Sequence, residues 1–102
     1  MNLFHHAKAP AAVVDLINWK AVKFQKVTAD SERIKVAYKV VVDGVVVGAI
    51  GKVKDSLVSA REWVWVEKNE SFKKFHFDKL SYSRRWAAAS LLFKLNHDGV
   101  LA

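Results

Sequence analysis

The chain has 102 residues, 52% of them hydrophobic and 12% aromatic, enough to bury one core without staples and unlike the composition of a disordered segment. It contains no cysteine, so disulfide frameworks and thiolate chemistry are excluded. Seventeen Lys+Arg against ten Asp+Glu leave a net charge of +7, a surplus that in a small domain points to a polyanion such as nucleic acid, an acidic protein or anionic lipid.

Residues 1–10 carry His5, His6 and Lys8 and no continuous apolar run, so they do not read as a signal peptide. A flexible tail over 1–9 is expected, on a single domain of 1–102. The longest apolar run, 40–50, is interrupted by Asp43 and falls short of the ~20 residues of a membrane span. No membrane association is expected, and the expected location is cytoplasmic. Pro10 occupies a first-turn position that tolerates a missing N–H, and Val13, Leu16, Ile17 and Lys20 follow helical spacing. This predicts a short helix at about 10–19, with Ala9 as a poor N-cap. Residues 21–28 alternate, with Val22 and Phe24 on one side and Lys23 and Gln25 on the other, which predicts an edge strand. A polar turn follows at 28–32.

Residues 33–54 read as one long β-hairpin around Asp43-Gly44, a pair suited to the positive φ angles of a type I′ turn. A two-residue loop predicts the register. Val42, Val40, Tyr38, Val36 and Ile34 then oppose Val45, Val47, Ala49, Gly51 and Val53 on an apolar face. On the other face Val41, Lys39, Ala37, Lys35 and Arg33 oppose Val46, Gly48, Ile50, Lys52 and Lys54. Lys35 against Lys52 and Arg33 against Lys54 place like charges directly across from one another, a crowding that an anionic partner would relieve. Gly44, Gly48 and Gly51 do not form a phosphate loop, because no helix follows them; they are expected to mark a close backbone approach or a bulge.

Residues 61–68 contain Trp63-Val64-Trp65-Val66, dense in strand formers, and residues 71–78 alternate again, with Phe75 and Phe77 opposed to Lys74 and His76. Ser81 or Ser83 caps a final helix to about Leu95, stopped by Asn96-His97-Asp98-Gly99. In that helix Tyr82, Trp86, Ala89 and Phe93 form one apolar stripe and Ala88, Leu91, Leu92 and Leu95 a second, with Ala87, Ser90 and Lys94 facing a polar direction. A helix apolar nearly all round is covered on more than one side. The sheet supplies one cover. The second is either another subunit, giving a homodimer, or the amino-terminal helix. The fold class expected is α+β: an antiparallel sheet of about four strands built on the 33–54 hairpin, with a short amino-terminal and a longer carboxy-terminal helix packed on it.

Three constellations could carry function. Arg33, Lys35, Lys39, Lys52 and Lys54 would follow a phosphate backbone from a stiff sheet face. Arg84 and Arg85, in the first turn of the last helix, oppose its macrodipole and suit phosphate, or else pair with a carboxylate such as Asp78. Trp63 and Trp65 are the candidates for stacking on bases. The histidines show no metal-ligand spacing and no nucleophile stands out, so no metal, cofactor or catalytic residue is expected.

The stretch Ser83-Arg84-Arg85-Trp86-Ala87-Ala88-Ala89 resembles the start of the final helix of double-stranded RNA-binding domains, which run helix, three strands, helix. The likeness covers under a tenth of the chain. Trp86 and Ala88 stand where that pattern has lysines one turn in, and 71–80 has no counterpart. The resemblance implies a similar topology and contact with a nucleic-acid backbone. The reading that follows is a non-enzymatic nucleic-acid-binding module with weak sequence preference, expected to be a homodimer. The alternative is a small protein-interaction module, an inhibitor or adaptor. It would bind an acidic partner surface or self-assemble through the apolar helix and the hairpin tip of Val41, Val42, Val45 and Val46.

Overall fold

The Asp43-Gly44 turn adopts the conformation its residues permit, with φ of 49° at Asp43 and 80° at Gly44. It joins β2 (Ile34–Val42) to β3 (Val45–Val53). In the computed structural model, which describes residues 3–4, 13–54, 62–72 and 81–99, β1 (Val22–Val27) and β4 (Trp63–Glu67) complete a four-stranded antiparallel sheet in the order β1-β2-β3-β4. One α-helix, α1 (Arg84–His97), follows. The architecture is α+β. The strand expected at 71–78 lies outside the described residues except for Ser71 and Phe72.

The hairpin does not keep the expected register. At the tip Val42 pairs with Val45 and Val41 with Val46, as the turn dictates. The register then shifts: Val40 pairs with Gly48, Lys39 with Ala49, Tyr38 with Ile50, Ala37 with Gly51 and Val36 with Lys52, before Ile34 returns to Val53. Val47 is therefore an extra residue on β3 and Lys35 a compensating one on β2, and each forms a β-bulge. Packing explains the first bulge. Val47 and Ile50 are three apart, so strict alternation would send them to opposite faces, yet both belong to the core beneath α1. Inserting one residue lets both point inward.

Each sheet face has its own apolar cluster. The face under α1 gathers Val22, Val40, Val42, Val47, Ile50 and Trp65 with the helix residues Ala87, Ala88, Ala89, Leu91, Leu92 and Leu95. The opposite face gathers Ile34, Ala37, Val53, Val64, Val66 and Phe72. Full burial of side chains such as Ile50, Leu91 and Leu92 contributes about 1.5–3 kcal/mol apiece. Glycine permits both close approaches. A Cβ on Gly48 would lie 2.5 Å from the Val66 carbonyl oxygen and 2.7 Å from Leu91 Cδ2, and one on Gly51 would lie 2.8 Å from Ile34 Cγ2.

Helix α1 begins at Ser83, whose side chain accepts a hydrogen bond from the Trp86 N–H at 3.2 Å. It ends at Asp98, and Gly99 takes the left-handed conformation and donates to the Asn96 carbonyl at 3.1 Å. Ala87 is fully buried, not turned to solvent as expected. The buried arc therefore exceeds what the sheet alone covers, and the same chain closes the rest. Phe4 meets Phe93 edge-on at 4.7 Å, and Leu3, Phe4, Val14 and Trp19 pack against the helix-side core. Ala89 and Phe93 of the first apolar stripe are covered from within, whereas Trp86 and Tyr82 at its start are 37% and 59% exposed; Leu3 and Phe4, inside the 1–9 segment, pack against the core.

No α-helix forms at 13–21. Two 3-10 turns, Val13–Leu16 and Trp19–Ala21, stand in its place, separated by a bridge between Ile17 and Phe4. A continuous helix would bond the Asn18 N–H to the Val14 carbonyl. Here Asn18 N–H donates to the Leu3 carbonyl at 2.6 Å, and the Val14 carbonyl accepts from the Trp19 indole at 2.9 Å. Both helical partners are engaged elsewhere, and the β-branched Val13, Val14 and Ile17 favour that outcome.

Candidate nucleic-acid interface

The lysine face expected on the hairpin is not assembled. Lys35 and Lys52 are not cross-strand neighbours: Lys52 pairs with Val36 on one side and Trp63 on the other, and Lys35 is the bulged residue. Lys39 pairs with Ala49. Positions 49 and 52 are three apart on β3, so Lys39 and Lys52 project from opposite faces of the sheet. Lys52 also forms an ion pair with Glu62 at 3.4 Å. Only Arg33 and Lys54 meet as expected, the Lys54 N–H donating to the Arg33 carbonyl at 2.7 Å. A shift of one residue over the middle of the hairpin is enough to separate the set, because side chains alternate with period two.

The arginine pair is built more firmly than its sequence position implies. Trp63 and Ser81 exchange backbone hydrogen bonds of 3.1 and 2.7 Å, which ties the approach to α1 onto the edge of β4. The first turn of α1 then lies over four aromatic rings in a row. Trp19 to Phe24 is 6.3 Å between centroids, Phe24 to Tyr38 is 6.4 Å, and Tyr38 stacks on Trp63 at 6.4 Å. The Arg84 guanidinium sits 5.3 Å from both the Phe24 and the Tyr38 ring centres, and that of Arg85 sits 5.4 Å from Trp19. Each cation–π contact of this partly exposed kind contributes about 0.5–1 kcal/mol. Packing against the rings restricts the two guanidinium groups, and both side chains are exposed. Among the described residues the carboxylates Glu62, Glu67 and Asp98 pair with Lys52 and Lys94, not with Arg84 or Arg85. Asp78, the carboxylate considered as their partner, lies outside the described residues.

Further cations surround this end of the molecule. Lys26 lies across from Tyr38 on the same sheet face, and Lys20 precedes β1; both are exposed. On the other face of β1 and β2, Lys23 and Lys39 are exposed, with Gln25 paired to Lys39. Lys35 and Lys54 are exposed but lie at the far end of the hairpin.

Trp65 is only 8% exposed and belongs to the core under α1, so its ring offers no face to a base. Trp63 is half-buried and one of its faces is taken by Tyr38. The aromatics that organise the site, Trp19, Phe24 and Tyr38, were not singled out by sequence. Their shared face depends on the pairing of β1 with β2, and the alternation of Val22 with Phe24 and of Tyr38 with Val40 was the available signal. The hairpin tip is less open than expected, since Val42 is buried while Val45 is 57% exposed.

Among the described residues no three His, Asp or Glu side chains converge as a metal site, and no helix is long and apolar enough to cross a membrane. An open depression of about 590 Å³ runs along the β1–β2 connection. Its carboxylate Asp30 is committed to structure, accepting from Ser71 Oγ at 2.5 Å and from the Phe72 N–H at 3.1 Å. Comparison with protein-family models, with curated proteins and with solved structures finds no match to this chain.

Proposed function

We propose that the protein is a non-enzymatic module that binds the phosphate backbone of nucleic acid, with its contact surface centred on Arg84 and Arg85. The observation that carries this reading is the support beneath the pair: two guanidinium groups held over aromatic rings, with no carboxylate partner among the described residues. Buttressed guanidinium forks suit phosphate oxygens, and both lie in the first turn of α1, at the positive end of its dipole. Lys20 and Lys26 extend the positive surface, while the remaining hairpin cations, Arg33, Lys35, Lys39 and Lys54, contribute a diffuse field. The rings below the arginines are covered by them, so contact is with backbone more than with bases. Sequence preference is therefore weak.

Binding of a labelled 20-mer, single- and double-stranded, across a salt series tests the proposal. With ~4 phosphate contacts, log K falls against log[salt] with a slope of about −3 to −4. The variant R84Q/R85Q lowers affinity at least tenfold, whereas K35Q/K52Q has a small effect because Lys35 is bulged out of the ladder and Lys52 is paired with Glu62. Absence of binding at 50 mM salt, or indifference to the arginine change, rejects the reading.

A further inference from the structure

The two edges of the sheet are not equivalent. The outer edge of β4 is joined to Ser81 at Trp63. The outer edge of β1 is bare among the described residues: β1 pairs with β2 alone. Alternate residues of this six-residue strand, about 20 Å long, thus turn their N–H and C=O groups away from β2, the Val22 N–H alone being taken up by the Trp19 carbonyl among the described residues.

We infer that this edge accepts an extended acidic segment of another protein as a fifth strand. Charge selects the occupant. From Lys20 to Ala29 the chain contains Lys20, Lys23 and Lys26 and no acidic residue. Lys23 projects from one face of the edge, with Lys39 on the neighbouring strand of that face. Lys26 projects from the other, where the Arg84 guanidinium lies over Phe24. A strand laid along β1 therefore has cations beside its side chains on both faces. The same charges reject a second copy of the chain. An antiparallel pairing of two β1 edges keeps like faces together, so in the register centred on Phe24 the two copies of Lys23 become diagonal neighbours on one face, and no acidic residue of either edge offsets them. A nucleic-acid strand cannot continue the ladder, because it lacks amide groups at strand spacing. In such strand addition, main-chain hydrogen bonds supply affinity and alternate side chains supply selectivity. The inference stands apart from the phosphate-binding reading, since it concerns the backbone edge of β1.

The test uses the intact chain and a capped eight-residue peptide alternating Glu and Val, with amide hydrogen exchange as the readout. At 50 mM salt the peptide is expected to slow exchange of outward-facing amides within Val22–Val27 at least tenfold. A version N-methylated at alternate residues keeps the charge but cannot complete the ladder, and gives no protection. Replacing Lys23 and Lys26 together by Gln weakens peptide binding roughly three- to tenfold, the scale of two exposed charge pairs. Three results would overturn the inference: no protection at 1 mM peptide, equal binding of the N-methylated peptide, or protection without peptide that rises with protein concentration. Protection of the same amides by an oligonucleotide and not by the peptide would also overturn it. R84Q/R85Q keeps both lysines of the edge, so loss of oligonucleotide binding in that variant with peptide protection retained separates the two proposals.

Discussion

Asp30 Oδ1 accepts a hydrogen bond from the Phe72 N–H at 3.1 Å, joining the β1–β2 connection to the segment that leaves β4. The second oxygen takes the Ser71 hydroxyl at 2.5 Å. Together they seat Phe72, only 5% exposed, over Gly51 and Ile34 on the face away from α1. Asp30→Ala removes an acceptor from a half-buried amide and a charge-assisted bond, so a loss of about 1–3 kcal/mol is expected in urea unfolding. Ser71→Ala removes one bond and costs less. A D30A effect no larger than that of S71A would show that the Phe72 amide does not need this partner.

Gly48→Ala and Gly51→Ala separate two kinds of close approach. At Gly48 the added Cβ meets a backbone oxygen, Val66 O at 2.5 Å, which cannot rotate away. A cost at or above about 3 kcal/mol is expected, with β4 or α1 displaced. At Gly51 the nearest atoms are Ile34 Cγ2 at 2.8 Å and the Phe72 ring at 3.1 Å, side-chain ends that can yield. About 1–2 kcal/mol is expected there. Equal costs at the two positions would contradict the packing described.

Phe4→Ala opens the side of α1 that the amino-terminal segment closes. The loss combines apolar burial with the edge-on contact to Phe93, about 2–3 kcal/mol for a half-buried ring. Sedimentation at rising concentration should then show self-association in F4A and none in the parent chain through this face. A monomeric F4A of unchanged stability would mean that the Phe4 contact does not cover the helix.

Ser83→Ala removes the side-chain acceptor for the Trp86 N–H and should cost about 1 kcal/mol, with Ser83→Asp close to neutral. Chemical denaturation of the pair reads the difference. Because the cap also positions the first turn, S83A should weaken oligonucleotide binding more than its stability loss alone explains.

Lys94 bonds Asp98, one turn on, and pairs with Glu67 of β4 at 3.6 Å. The hydrogen bond to Asp98, then the charges of Asp98 and Glu67, hold its pKa above the usual lysine value of about 10.5. A raised folded-state pKa contributes stability that is complete below the unfolded value and is lost as pH rises through the folded one. Stability should therefore decline above about pH 10, and Lys94→Met should remove that part of the decline. The group is exposed, so the effect is small.

Local signals in the chain were readable where a single residue type meets a single requirement. Asp43-Gly44 demanded a turn with positive φ, Ser83 offered a cap, and Gly99 a left-handed stop. Alternation marked β1, and glycine inside an apolar strand marked the close approaches at 48 and 51. The amino-terminal helix was misread because spacing alone cannot reveal that Leu3 and Trp19 compete for the hydrogen bonds it needs. The lysine face was misread because one turn was allowed to dictate a register over nine residues, while Val47 and Ile50 demanded the same face.

By itself the sequence determined the composition of the core, the excess of positive charge, the hairpin and the carboxy-terminal helix, since each depends on neighbours in the chain. Only the tertiary structure decided which cations stand together. Alternating side chains make a face sensitive to a shift of one residue, and that shift was chosen by helix packing on the far side of the strands. The same packing carried Arg84 and Arg85 onto Phe24, Tyr38 and Trp19, residues 46 to 66 positions away in the chain, and so placed the charged surface at the start of α1.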